Sequence, residues 1–191
     1  VDAESLDELR SVLGALGVRP SLLFGADRLL WVEGATEEQC FPMIIAGVLK
    51  LPMRGLRVVS VVNTGDFDAR RAKSVGAVYD KLTAATTVLP PAVAFVFDRE
   101  RRSQEERDRI NDACGGKARF LERRCFENYL LDVDAIAAAL NRLPGGEQVT
   151  SSSVSDWLQQ HWKDREYGYA DAHGEKCELW QRECNAPKVL D

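Results

Sequence analysis

Histidine is scarce in this sequence: only His161 and His173 occur among 191 residues. The five cysteines (Cys40, Cys114, Cys125, Cys177, Cys184) are odd in number and follow no disulfide framework. They read as reduced thiols of a cytoplasmic protein. His173 with Cys177 and Cys184 is spaced H-x3-C-x6-C, looser than the four-ligand sets of tetrahedral zinc. Cys–His nucleophilic chemistry would also need an orienting third group. No apolar run approaches the roughly 20 residues of a membrane span, and no signal peptide opens the chain, so no membrane partner is expected. Gly65 in "NTGDFD" follows an apolar burst, but no G-x-x-x-x-G-K phosphate loop exists. ATP, if used, belongs to another domain. A global positive field is absent as well: the net charge is −5. That counts little against a nucleic-acid enzyme that gathers carboxylates in its own site.

What is present is a large apolar fraction, 45% against 29% charged, enough for one globular domain with a small appendage. A chain beginning at Val1 is expected to be a piece of a longer protein. Four short apolar bursts stand out: "LLWVE" (29–33), "RVVSVVN" (57–63), "AVAFVFD" (92–98) and "ARFLE" (118–122). The first three are nearly continuous rather than alternating, as parallel strands covered on both faces require. Helical patterns surround them. Leu6, Leu9, Val12, Leu13 and Leu16 keep helical spacing over 2–16, and "DARRAKSVGAVYDKL" (68–82), "SQEERDRINDAC" (103–114) and "DVDAIAAALNRL" (132–143) follow the later bursts. Thr36 and Gln39 form a predicted capping box, with Pro42 in about the second helical turn. From residue 147 onward no strand pattern appears, and one or two helices beside the sheet are expected, with Trp157, Trp162 and Trp180 as core and His161 on a helix surface. The reading is an α/β fold with a parallel sheet flanked by helices. It divides into an N-terminal helix and linker (1–24), a core (25–146) and a helical C-terminal extension (147–191).

Ligands of open parallel sheets bind at the carboxyl ends of the strands. Three predicted strands end in an acid: Glu33, Asp98 and Glu122. Glu37, Glu100 and Glu127 stand close behind them in the chain. Oxygen donors in this number, without paired His or Cys, favour Mg²⁺ or Mn²⁺ over zinc. Two such ions roughly 3.5–4 Å apart can activate water and stabilise the leaving oxygen of a phosphodiester. Each acid also has a plainer reading. Glu37 and Glu38 complement a helix dipole, Asp98-Arg99-Glu100 opens a solvated loop, and Glu122 pairs with Arg123 or Arg124. Glu33 is the hardest to explain away, because it ends a buried-looking strand where a lone charge is costly. From Arg99 to Arg124, nine Lys or Arg stand against six acids. Arg99, Arg101, Arg102, Arg123 and Arg124 are candidates for holding the phosphates beside the scissile one. The alternative is a charged helix face of Glu–Arg pairs.

"LLWVEGATEEQ", "AFVFDRE" and "FLERRCFENYLLDVDAIAAAL", in that order, resemble the TOPRIM domain shared by type IA topoisomerases, primases and certain nucleases. The third segment is similar to the OLD (overcoming lysogenization defect) family nucleases. The resemblance covers roughly residues 25–145. It implies a Rossmann-like TOPRIM sheet and metal-dependent DNA cleavage. It also implies an upstream ABC-type ATPase domain in the same chain, through which a homodimer would form. Glu33 matches the TOPRIM glutamate, Glu37 the second acid of E-x-x-x-E, and Asp98 and Glu100 the Asp-x-Asp positions. The longer arm of Glu100 is a departure. Glu122 and Glu127 match the third acidic motif, which leaves the ligand among them open, and Lys188 in "NAPKVL" matches a lysine that would stabilise charge on the phosphate. The implied catalytic residues are Glu33, Asp98 and Lys188; the implied metal ligands are Glu33, Glu37, Asp98, Glu100, Glu122 and Glu127. No covalent nucleophile is expected from Tyr79, Tyr129, Tyr167 or Tyr169, and Tyr129 reads as core. Two rival readings remain: a primase-like or RNA-processing TOPRIM enzyme, and a non-catalytic recombination-mediator module that binds DNA. In the latter the acid set is usually incomplete, whereas this chain keeps all three motifs.

Overall fold

The computed structural model describes residues 26–60, 92–146, 148–161, 164–167 and 177–191. The helices expected over 2–16 and 68–82, the last part of the second burst and the "NTGDFD" loop lie outside the described residues. The apolar bursts become strands: β1 (Arg28–Val32), β2 (Leu56–Ser60), β3 (Ala92–Phe97) and β4 (Ala118–Phe120). All pairings are parallel, in the order β2-β1-β3-β4, a Rossmann-like α/β sheet. Trp31 and Val32 point to opposite faces of β1, and both are buried. This is why the run is apolar throughout rather than alternating. Trp31 pairs in register with Phe95, and Phe97 with Phe120. Their rings form a row across one face, Trp31–Phe95 at 6.5 Å, Phe95–Phe97 at 6.4 Å and Phe97–Phe120 at 5.6 Å between centroids. These separations are the usual ones for packed aromatic pairs.

Helix α1 (Ala35–Met43) starts earlier than the capping-box pattern suggests. Its N-cap is Gly34, in extended conformation and without a side-chain cap, so the Thr36–Gln39 box does not form. Thr36 is already inside the first turn, where its hydroxyl cannot play the N-cap part. Pro42 lies inside α1, and the helix then widens into a π-helical turn, Ile44–Val48, where Leu49 N–H bonds to the Ile44 carbonyl at 2.9 Å. Helix α2 (Gln104–Ala113) carries a genuine capping box: Glu106 N–H donates to Ser103 Oγ, and Ser103 N–H to the Glu106 carboxylate at 2.7 Å.

Two compact units divide the chain. The first, reaching to Phe97 and including Arg102–Phe120, contains the sheet with α1 and α2. The second comprises Asp98–Arg101 and Leu121–Asp191. Among its described residues it is helical: a 3₁₀ turn (Phe126–Tyr129), α3 (Val133–Leu140), α4 (Ser151–His161), a short turn (Arg165–Tyr167), α5 (Cys177–Glu183) and α6 (Ala186–Leu190). Among the described residues beyond 147 there are thus three α-helices rather than one or two. Here α3 packs against α4, around a core of Cys125, Leu131, Ala137, Val154, Leu158, Tyr167, Trp180, Cys184 and Ala186. Trp180 is fully buried, as expected of core, whereas Trp157 is 40% exposed. Its ring lies 4.4 Å from that of His161, a helix-end residue paired with Asp164 at 2.7 Å. Trp162 lies outside the described residues.

Candidate functional site

In the first unit, β1 is followed in the chain by β2 on one side of it, while β3 leads to β4 on the other. Right-handed crossovers therefore put α1 and α2 on opposite faces, and the carboxyl ends of β1 and β3 form the topological switch point. Glu33 follows β1 directly. Its carboxylate accepts a hydrogen bond from Arg102 Nη2 at 3.2 Å, the two side chains being 12% and 14% exposed. An ion pair thus answers the cost of a charge at the end of a buried strand. Arg102, read from the sequence as a phosphate contact, is the partner.

Glu37 lies in the first turn of α1, where a carboxylate complements the helix dipole, and it is 4% exposed. Its carboxylate folds back over Gly34: a Cβ at Gly34 would stand 2.7 Å from Glu37 Oε2. A larger residue there would require the carboxylate to shift. Glu38 accepts a hydrogen bond from Ser60 Oγ at the end of β2. Ser60 is a polar side chain that the sequence reading passed over. Its signal was present, as the one hydroxyl interrupting an otherwise apolar burst.

The second unit holds the other acids. Asp98 Oδ1 accepts from Phe126 N–H at 2.9 Å, at the first residue of the 3₁₀ turn. Glu127 sits in the same turn, and ligand atoms of Asp98, Cys125 and Glu127 lie within 4.8 Å of one another. Of the two glutamates the sequence left open, Glu127 stands with Asp98, while Glu122 is absent from that group. Glu122 contributes backbone, its N–H donating to Tyr129 Oη at 3.0 Å and its carbonyl accepting from Arg99 Nε at 3.2 Å. Glu100 adopts a left-handed backbone, φ 46°, uncommon outside glycine. Its carboxylate accepts from Arg124 Nε at 3.3 Å and its N–H bonds to the Arg124 carbonyl at 2.7 Å. Lys188 is exposed on α6.

Cys125 is the third member of the group. Its thiol donates to Asn128 Oδ1 at 2.8 Å, and burial, then the charges of Asp98 and Glu127, push it up to about 12. The group therefore offers two carboxylates and one buried thiol.

The arginines are engaged within the protein. Arg99 pairs with Glu183. Arg123 Nη1 donates to the Asn128 carbonyl, and its guanidinium lies 4.9 Å from the centroid of the Tyr129 ring. Arg124 bridges Glu100 and the Glu183 carbonyl. Arg101 is exposed. Tyr129, expected in the core, is 41% exposed. Its hydroxyl oxygen accepts the N–H groups of Glu122 and Arg123, so its polar end is held at the strand-following loop instead of being driven inside. The described cysteines Cys40, Cys114, Cys125 and Cys184 are all free thiols. No helix among the described residues is long and apolar enough to cross a membrane. The sequence matches no family model, and no curated protein shows significant similarity to it.

Proposed function

We propose that the chain is a Mg²⁺- or Mn²⁺-dependent DNA nuclease domain of the TOPRIM type, the nuclease half of an OLD-type ATPase–nuclease. On this reading it works in the cytoplasm, behind an ABC-type ATPase domain that also mediates dimerisation. The observation that carries it is the approach of Asp98 and Glu127, remote in the chain, to within 4.8 Å, with the Cys125 thiol beside them and donating to Asn128 Oδ1. Two carboxylates that close repel, and a divalent cation would relieve that repulsion. The order of the three acidic motifs and the strand-end location of Glu33 support the same reading.

Divalent ions, when bound, would supply an activated water and a Lewis acid for the leaving oxygen. Asp98 and Glu127 would hold one ion, and Glu100, paired with Arg124, is a further candidate ligand. Glu33 would serve as a metal ligand or as the general base, and Glu37 as a ligand. Lys188 stabilises charge on the phosphate. Arg101 and the arginines beside it hold the flanking phosphates, exchanging carboxylate partners for phosphate oxygens.

The test is cleavage of supercoiled and linear DNA in Mg²⁺, Mn²⁺, Ca²⁺ and EDTA, with Glu33→Ala and Asp98→Ala alongside. Nicking or degradation in Mg²⁺ or Mn²⁺, lost by at least 100-fold in both folded variants, is the expected result. DNA bound but left intact in every metal would make the domain a binding module, and RNA cut in preference would move the substrate class. Cleavage that survives both substitutions would remove the acids from the mechanism.

A further inference from the structure

Asn128 is the one polar side chain of the second unit that is completely buried among the described residues. All of its side-chain hydrogen-bonding capacity is committed. Oδ1 accepts from Cys125 N–H at 3.0 Å and from Cys125 Sγ at 2.8 Å. Nδ2 donates to the carbonyls of Gln181 at 2.9 Å and Cys184 at 3.1 Å. One amide therefore ties the start of the 3₁₀ turn to the C-terminal end of α5. The same turn is fastened on its other side by Phe126 N–H on Asp98 Oδ1 at 2.9 Å. Glu127 lies between these two fastenings.

We infer that Asn128 is the positioning residue of the Asp98–Glu127 pair, setting the separation at which the two carboxylates receive a divalent ion. The inference rests on the metal-site reading above. Asn128 touches no ion itself. It acts by fixing the backbone of a four-residue turn, and a 3₁₀ turn this short has little hydrogen bonding of its own to hold its shape. A glutamate on a loose turn would sample many positions, and the ion would have to order it on binding. Groups that orient metal ligands from behind are typically worth about 10–100-fold in metal affinity.

The experiment measures Mn²⁺ binding to the whole chain by loss of the free-ion EPR signal, for wild type, Asp98→Ala, Asn128→Ala, Asn128→Ser and Leu158→Ala. Leu158 is a buried residue of the same core and is not among the proposed ligands. It serves as a destabilised control. Each variant is compared at a temperature where circular dichroism shows it folded. The expected result is a Mn²⁺ affinity lowered about 10–100-fold in Asn128→Ala. Asn128→Ser, which keeps a short acceptor for Cys125 N–H, should fall between, and Leu158→Ala should bind as wild type despite a lower melting temperature. Should Asn128→Ala fail to fold, the serine variant decides. Wild-type affinity in a folded Asn128 variant overturns the positioning role, as does an equal loss in Leu158→Ala. Mn²⁺ binding that is absent from wild type, or unaffected by Asp98→Ala, overturns the metal-site reading itself and the inference with it.

Discussion

Glu33 and Arg102 come from positions 69 apart in the chain and meet with both side chains almost out of water. Desolvation makes such a pair a weak source of net stability, but it makes the loss of one partner expensive. Arg102→Ala is therefore expected to destabilise the protein by about 2 kcal/mol, since it strips the guanidinium from a nearly buried carboxylate. Arg102→Lys should recover only part, because a point charge does not reproduce the planar fork. Urea denaturation of the two variants tests this. If Arg102→Ala unfolds at the wild-type midpoint, Glu33 is adequately satisfied by its other neighbours. Gly34 belongs to the same cluster. It leaves room for the Glu37 carboxylate, which a Cβ at that position would displace.

The helices begin for different reasons, and the difference is measurable. α3 starts at an aspartate whose carboxylate accepts from Ala135 N–H at 2.8 Å, an ordinary N-cap. α1 starts at Gly34 with no side-chain cap, leaving Thr36 inside the helix. Asp132→Ala should cost about 1 kcal/mol, while Thr36→Ala should stay within about 0.5 kcal/mol of wild type. Both are read from denaturant midpoints at unchanged m-value. A penalty at Thr36 as large as at Asp132 would mean that α1 is capped as its sequence pattern suggests. In α2 the capping box holds the Glu106 carboxyl below its usual range, chiefly through Ser103 N–H. That contribution is present above about pH 4.5 and is lost as pH falls through the lower folded value.

At the scale of the molecule, the second unit has a core of its own in which Trp180, Cys184 and Ala186 are wholly buried. Burial pushes the Cys184 thiol from 9.0 up to about 12, with Arg124 opposing the rise. The folded chain therefore keeps a proton that the unfolded chain sheds. Stability from this source is complete below about pH 9 and is lost as pH climbs toward 12. Two outcomes are expected. Iodoacetamide at pH 8 should leave Cys184 unmodified in the native protein and label it in urea. The alkaline fall in stability should also be shallower in Cys184→Ala than in wild type. Rapid native labelling would show that this core opens easily.

Much of the architecture was legible from local pattern. The first three apolar bursts could be recognised as parallel strands because a strand covered on both faces must be apolar at successive positions, and Trp31 beside Val32 does that. The helix at 104–113 announced itself through its boundaries, and the acids that follow β1 and β3 were visible as the first charges after those bursts. The starting point of α1 was misread because the same Thr-x-x-Gln pattern that caps one helix is merely part of the first turn of another. Tyr129 was misread because its hydroxyl found two backbone donors near the surface. What the sequence by itself determined is therefore the set of elements and the inventory of carboxylates, since both follow from the chemistry of neighbouring residues. Only the tertiary structure decided that β1 lies between β2 and β3, that Arg102 neutralises Glu33, that Glu127 rather than Glu122 stands beside Asp98, and that Asn128 clasps the turn between them. Each of these joins residues far apart in the chain, and such meetings are set by strand order, register and core packing, which no local periodicity encodes.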